Sequence, residues 1–128
     1  MKEDQLVSVV GEEGITRLTA AFYRQVYEDD ILAPMYPEHD REGAEQRLRG
    51  FLIYRLGGSP AYVEQRGHPR LRARHLPFRI DQAARDRWIE LMGLALAEVA
   101  FPAEAERCLR EFLEKMATFM INVAEDST

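Results

Sequence analysis

Apolar side chains along this chain recur at intervals of three and four residues and nowhere keep a convincing interval of two, which restricts the fold to packed helices. From Ile15 to Tyr27 the series Ile15, Leu18, Phe22 and Val26 marks one face of a core-directed helix. Tyr23 lies about 100° around from Phe22, at the edge of that stripe, and forms with Thr19 and Tyr27 a second, more polar line. A tyrosine so placed commonly packs its ring and leaves its hydroxyl in water, so position alone assigns it no function.

Asp29-Asp30 ends this helix, and Ile31 to Pro37 form a proline-bounded turn whose large apolar residues need burial. Tyr36, held between Met35 and Pro37, is a candidate for a buried ring with its hydroxyl aimed at a specific partner. His39 reads as solvent-exposed. Asp40 is a credible N-cap for a helix carrying Ala44, Leu48, Phe51, Leu52 and Arg55 along one side. Ala44 is the smallest residue on that face, so no imidazole would hang over a cofactor there. Gly57-Gly58-Ser59-Pro60 stops the helix, and a loosely structured segment continues through Tyr62.

Further on, Asp81 caps a helix with the stripe Ala84, Trp88, Leu91, Met92, Ala95 and Val99, ending near Phe101-Pro102. A lone tryptophan on such a stripe is usually packing. The last helix shows Leu109, Phe112, Leu113, Met116, Met120 and Val123, and Asn122 to Thr128 read as a fraying polar tail. Six or so helical segments with short connections predict one all-α domain over residues 1–128, with helices crossing ridge into groove.

The segment Gly67 to Phe78 carries two of the three histidines. Between Pro69 and Pro77 there is room for about two helical turns, since proline opens a helix comfortably and the residue before a second proline is pushed out of helical geometry. His75 then sits near a helix end with Leu71 one turn before it on the same face, while Arg70, Arg72 and Arg74 fall around the other sides. An imidazole on an apolar face among guanidinium groups is what a haem iron and its propionates require. An ordinary helix-end histidine beside a solvated arginine face fits these residues at least as well. His68, next to Pro69, reads as a structural or surface histidine.

Seventeen Lys and Arg against 22 Asp and Glu leave a net charge of −5, which argues against general nucleic-acid binding. One cysteine, Cys108, excludes an internal disulfide and a cysteine-based zinc or iron–sulfur site, and its helical apolar surroundings read as a buried thiol. Acidic residues near Met1, where a signal peptide would be basic, predict a cytoplasmic protein, and the apolar tract Leu91 to Ala97 is too short to span a bilayer.

In order, the pieces Phe22-Tyr23-x-Gln25-Val26, Met35-Tyr36-Pro37-Glu38, Gly43-Ala44-Glu45-x-Arg47-Leu48, Gly57-Gly58, Tyr62-x-Glu64-Gln65-Arg66-Gly67-His68-Pro69-Arg70-Leu71-Arg72-x-Arg74-His75-x-Pro77-Phe78-Arg79-Ile80 and Arg85-Asp86-x-Trp88 resemble the truncated haemoglobins, group II. The resemblance runs from about Val10 to Val123 and implies a two-over-two helical sandwich around haem b. It makes His75 the proximal iron ligand and Tyr23, Tyr36 and Trp88 the distal polar residues that contact bound ligand. Ala44 and Leu48 take the distal helix positions facing the iron, and Arg47 and Arg74 the positions suited to the propionates. Phe51, Leu71, Phe78 and Met116 join them as expected haem contacts. Two departures stand out: Gly11-Glu12-Glu13-Gly14 replaces the family's N-terminal glycine pair, leaving the first helix's start open, and Leu56 stands where an aromatic is frequent.

For that site the residues predict an imidazole oriented by a backbone carbonyl, a sixth position vacant or holding water, and two hydroxyls and an indole N–H able to donate to a negatively charged ligand. The function so implied is reversible binding of O2, CO and NO, with O2 held tightly and peroxidase-like or nitric-oxide-oxidising turnover driven by an external electron donor. No G-x-G-x-x-G fingerprint supplies a flavin or nicotinamide. A gas sensor or storage protein acting through a partner is the alternative, and a cofactor-free helical module the bland one; monomer and homodimer both remain open.

Overall fold

The first helix, α1 (Leu6–Val26), begins well before its periodic stripe because the chain turns through Gly11, whose φ of 78° and ψ of 157° interrupt the helix without ending it. Only glycine adopts that backbone cheaply, so Gly11 resolves where the first helix starts: a short leading piece, then the periodic run. The computed structural model describes residues 1–67 and 69–123. His68 and 124–128, including most of the expected tail, lie outside them.

Four further segments follow the expected pattern. Asp40 occupies the N-cap of α2 (Arg41–Arg55), but its carboxylate does not cap the helix; it pairs with Arg47 at 2.6 Å, where a full guanidinium competes with a weak backbone donor. The five-residue α4 (Leu71–His75) is preceded by Arg70 in the left-handed region, φ 44°, so Pro69 stands outside the helix and α4 is little more than one turn. Asp81 caps α5 (Gln82–Val99) as expected, its Oδ1 accepting from the Ala84 amide at 2.9 Å. The last helix, α6 (Ala103–Phe119), stops before Val123, which therefore does not share its stripe.

Three further expectations are corrected by the packing. The segment through Tyr62 is not loose: Ala61–Arg66 form α3, started by Pro60 and the Ser59 hydroxyl, which accepts from the Ala61 amide at 3.2 Å. Six residues whose three apolar ones, Ala61, Tyr62 and Val63, are consecutive cannot show a period. Cys108 is half-buried, its thiol beneath the Met1 carbonyl. Asn122 does not fray; it is hydrogen-bonded to residues 75–80.

Packing arranges the helices as two pairs, α1 with α2 and α5 with α6, joined by a broad α1–α5 contact. Ile15, Leu18, Phe22 and Val26 are fully enclosed and meet Leu52, Met92, Leu96 and Leu109 in one core. Gly57, at φ 98°, ends α2 where the Asp4 backbone carbonyl occupies the space a Cβ would need, locking the N-terminal turn onto the helix end. Among the described residues there is no strand, and no helix is long and apolar enough to cross a membrane. The fold is all-α, as the helical periods predict.

Candidate functional site

Between the helix pairs and α4 lies a largely apolar cavity of about 480 Å³, within the roughly 300–1,000 Å³ of small-molecule and cofactor sites. Every residue expected at a site borders it: Tyr23, Tyr36 and Trp88; Ala44, Arg47, Leu48 and Phe51 from α2; Leu71, Arg74 and His75 from α4; and Phe78 and Met116. They come from five helices and two connecting segments, a convergence that residue spacing along the chain does not impose.

His75 is oriented from within its own helix. Its Nδ1 lies 2.6 Å from the Leu71 carbonyl oxygen, one turn earlier. A carbonyl can only accept, so Nδ1 carries the proton and the lone pair is left on Nε2. Among the described residues no other imidazole borders the cavity, and His39 is exposed as expected.

The polar groups gather elsewhere on the wall. Tyr23 is not a surface tyrosine with a wet hydroxyl: it is 4% exposed and part of the core, and Thr19 beside it is fully buried with its hydroxyl returned to its own helix. The half-buried Tyr36 stands edge-on to Tyr23, centroids 5.5 Å apart at 88°, and Phe22 holds the Trp88 ring at 5.0 Å and 62°. Burial pushes the Tyr23 phenol well above the usual tyrosine value, and the neighbouring Tyr36 hydroxyl adds to it. Burial also raises Tyr36, against the donors it meets from Tyr23 and Trp88. Both phenols therefore stay protonated and able to donate. Tyr27, by contrast, spends its hydroxyl on the Arg41 carbonyl at 2.7 Å.

Sequence reasoning passed over several wall residues. Ala84 and Met120 sit one turn from Trp88 and Met116 on stripes already drawn, so the helical period could have supplied them. Arg66, Tyr62 and Met35 had no such signal, because neither α3 nor the turn between α1 and α2 shows a period. Of the two arginines expected at propionates, Arg47 is paired with Asp40, and Arg74 donates to the Arg66 carbonyl at 3.0 Å and the Tyr62 hydroxyl at 3.4 Å. The Arg47 guanidinium holds the Asp40 carboxyl below its ordinary range.

Residues 7–122 match the bacterial-like globin family. The chain belongs to the truncated haemoglobins, group II. It is 39% identical over 116 residues to the group 2 truncated hemoglobin YjbI of Bacillus subtilis, covering 91% of this chain and 87% of that protein. Among solved structures, the thermostable hemoglobin of Thermobifida fusca is 49% identical with a TM-score of 0.89, over 92% of this chain and 97% of that one. The truncated oxygen-avid haemoglobin of Bacillus subtilis is 37% identical with a TM-score of 0.87, over 91% and 98%.

Membership of this family implies haem and the binding of diatomic gases, and the residues of this truncated haemoglobin fit the group. One imidazole with its Nδ1 committed to a carbonyl, an apolar wall, and arginines at its edge form the donor set a haem requires.

Proposed function

We propose that this truncated haemoglobin holds haem b through His75 Nε2 and retains O2 tightly through Tyr23, Tyr36 and Trp88, turning over peroxide or nitric oxide with electrons from an external donor. The observation that carries the reading is the meeting of two protonated phenols and an indole N–H in an apolar cavity whose wall also bears an oriented imidazole. When bound, haem supplies an iron with one position for the imidazole and one for a diatomic gas or peroxide.

What the chain itself contributes follows from its residues. Leu71 fixes the rotation of the His75 ring through the 2.6 Å bond, so the imidazole needs no reorganisation to bind. Arg74 and Arg47 offer cationic edges to the propionates, Arg47 by sharing its guanidinium with Asp40. Of the α2 residues on the cavity wall, Ala44, Leu48 and Phe51 carry no group able to coordinate a metal, so this wall would leave the iron's remaining position to the ligand or to water. Tyr36, which receives the Tyr23 and Trp88 donors, keeps its own hydroxyl proton for negative charge on the ligand, and Tyr23 and Trp88 would add theirs by turning from Tyr36 toward it.

A hydrogen bond to a charged acceptor is worth about 1.5–3 kcal/mol, and each 1.4 kcal/mol is about tenfold, so two donors slow ligand release by about a hundredfold or more. Release that slow suits chemistry better than shuttling, and the oxygen-avid description of the Bacillus subtilis protein supports the same reading.

Trp88→Phe keeps the bulk and removes the donor, and is expected to speed O2 dissociation about tenfold in stopped-flow displacement by CO. An unchanged rate would return Trp88 to a packing role.

A further inference from the structure

A five-residue helix cannot hold its own shape, because its nucleus costs more than one or two hydrogen bonds return. Yet α4 must present His75 in one place. The tie lies 47 residues away, at Asn122 just after α6.

The Asn122 side chain spends both its donors and one acceptance by its oxygen on one short stretch of backbone. Its Nδ2 donates to the His75 carbonyl at 3.1 Å and the Phe78 carbonyl at 2.8 Å, and its Oδ1 accepts from the Ile80 amide at 2.9 Å. Its own backbone N–H donates to the Ile80 carbonyl at 2.9 Å. The His75 carbonyl also accepts from the Phe78 amide at 3.0 Å, so the turn after α4 closes on the same oxygen that Asn122 grips. The Arg72 guanidinium reaches the neighbouring Ile121 carbonyl at 3.3 Å, a second link between the same two segments.

We propose that Asn122 is a positioning residue for His75: by clamping the carbonyls of His75 and Phe78 and the amide of Ile80, it fixes the end of α4 and with it the plane and reach of the imidazole. The inference rests on the reading of His75 as the haem ligand. No residue nearer in sequence does this among the described residues. Asparagine is required because only a primary amide offers two donors and an acceptor in this span. Aspartate, of nearly the same shape, would turn the donor edge into an acceptor facing two carbonyls.

The test compares wild type, Asn122→Asp, Asn122→Ala and His75→Gly as haem-loaded proteins. Hemin transfer to excess apomyoglobin gives retention, and resonance Raman of the ferrous form gives the iron–histidine band. Both Asn122 variants are expected to lose hemin about tenfold faster, with a shifted iron–histidine band that a merely structural role would not move. In His75→Gly saturated with imidazole, where the ligand is no longer tied to α4, adding Asn122→Asp should change hemin loss by less than about twofold.

An unmoved band with wild-type retention, or an equal effect in both backgrounds, overturns the proposal. If His75→Gly alone holds hemin as firmly as wild type without imidazole, the ligand reading fails instead and takes the proposal with it. Should the variants not fold, amide exchange in the unmodified protein decides: an Ile80 amide strongly protected supports the clamp, and one exchanging at the free-chain rate refutes it.

Discussion

Asp29 is the one acidic side chain buried among the described residues, at 7% exposed, and both its oxygens are in use. Oδ1 accepts from Arg87 Nε at 2.6 Å and is ion-paired with a terminal nitrogen of the same guanidinium at 2.6 Å, and Oδ2 accepts from the amides of Ile31 at 3.1 Å and Leu32 at 3.0 Å. The carboxylate thus ties the turn that leads to Tyr36 onto α5, one residue from Trp88. Asp29→Ala would orphan two amides and release a guanidinium. Breaking a buried pair costs about 3–5 kcal/mol, but Arg87 keeps partial contact with water and with Glu90, so we expect about 2–4 kcal/mol. Asp29→Asn keeps an acceptor for the amides and should lose about 1–2 kcal/mol.

Burial acts to raise the Asp29 carboxyl, but the Arg87 hydrogen bonds and the two amides outweigh it and hold it below its usual value. A group depressed on folding contributes its stability above the unfolded value, near 3.9, and loses it as pH falls through the folded value. Thermal unfolding of the haem-loaded protein, at fixed protein and hemin concentrations, should therefore show Asp29→Ala lower by roughly 10 °C at neutral pH. The gap between wild type and Asp29→Asn should stay constant down to about pH 5 and narrow below about pH 4. A neutral-pH difference under about 2 °C for Asp29→Ala, or a gap that widens in acid, would refute the reasoning.

His75→Gly is expected to abolish stable hemin uptake, with added imidazole restoring the Soret band in titration; undiminished uptake would remove His75 as the ligand. Tyr23→Phe combined with Trp88→Phe should speed O2 dissociation by about a hundredfold over wild type in CO displacement if the two donors act independently. Gly57→Ala meets both a positive φ and the Asp4 carbonyl, so a loss of about 2 kcal/mol or more is expected in urea unfolding, and a neutral result would mean the N-terminal turn is not held against α2.

The parts of this molecule that can be read from the sequence are those whose cause is local. A helical period places Phe22, Leu91 and Leu109 inward because burial of one face decides both the pattern and the fold, and Asp81 caps α5 through an amide three residues away. The position of His75 at the end of a short helix is legible for the same reason, with Pro69 and Pro77 bracketing the segment and Leu71 one turn before it, whereas a role at the iron comes only from the family resemblance. Tyr23 shows the limit. Its place at the edge of a stripe is correct, but whether that edge faces water or a cavity depends on where Tyr36 and α5 arrive, and only the assembled fold makes it a buried donor. Asp29 and Asn122 are harder still, since their partners stand 58 and 47 residues away and include backbone groups, which have the same chemistry at every position. An aspartate after a helix and an asparagine near a polar end look in sequence like a turn residue and a fraying tail. What distinguishes them is that each sits where a short, weakly self-supporting segment bearing a site residue would otherwise be free to move. The turn with Tyr36 and the short helix with His75 are pieces of the cavity wall that no long helix carries, and in each a single side chain, Asp29 or Asn122, gathers several hydrogen bonds that tie it to a segment distant in sequence.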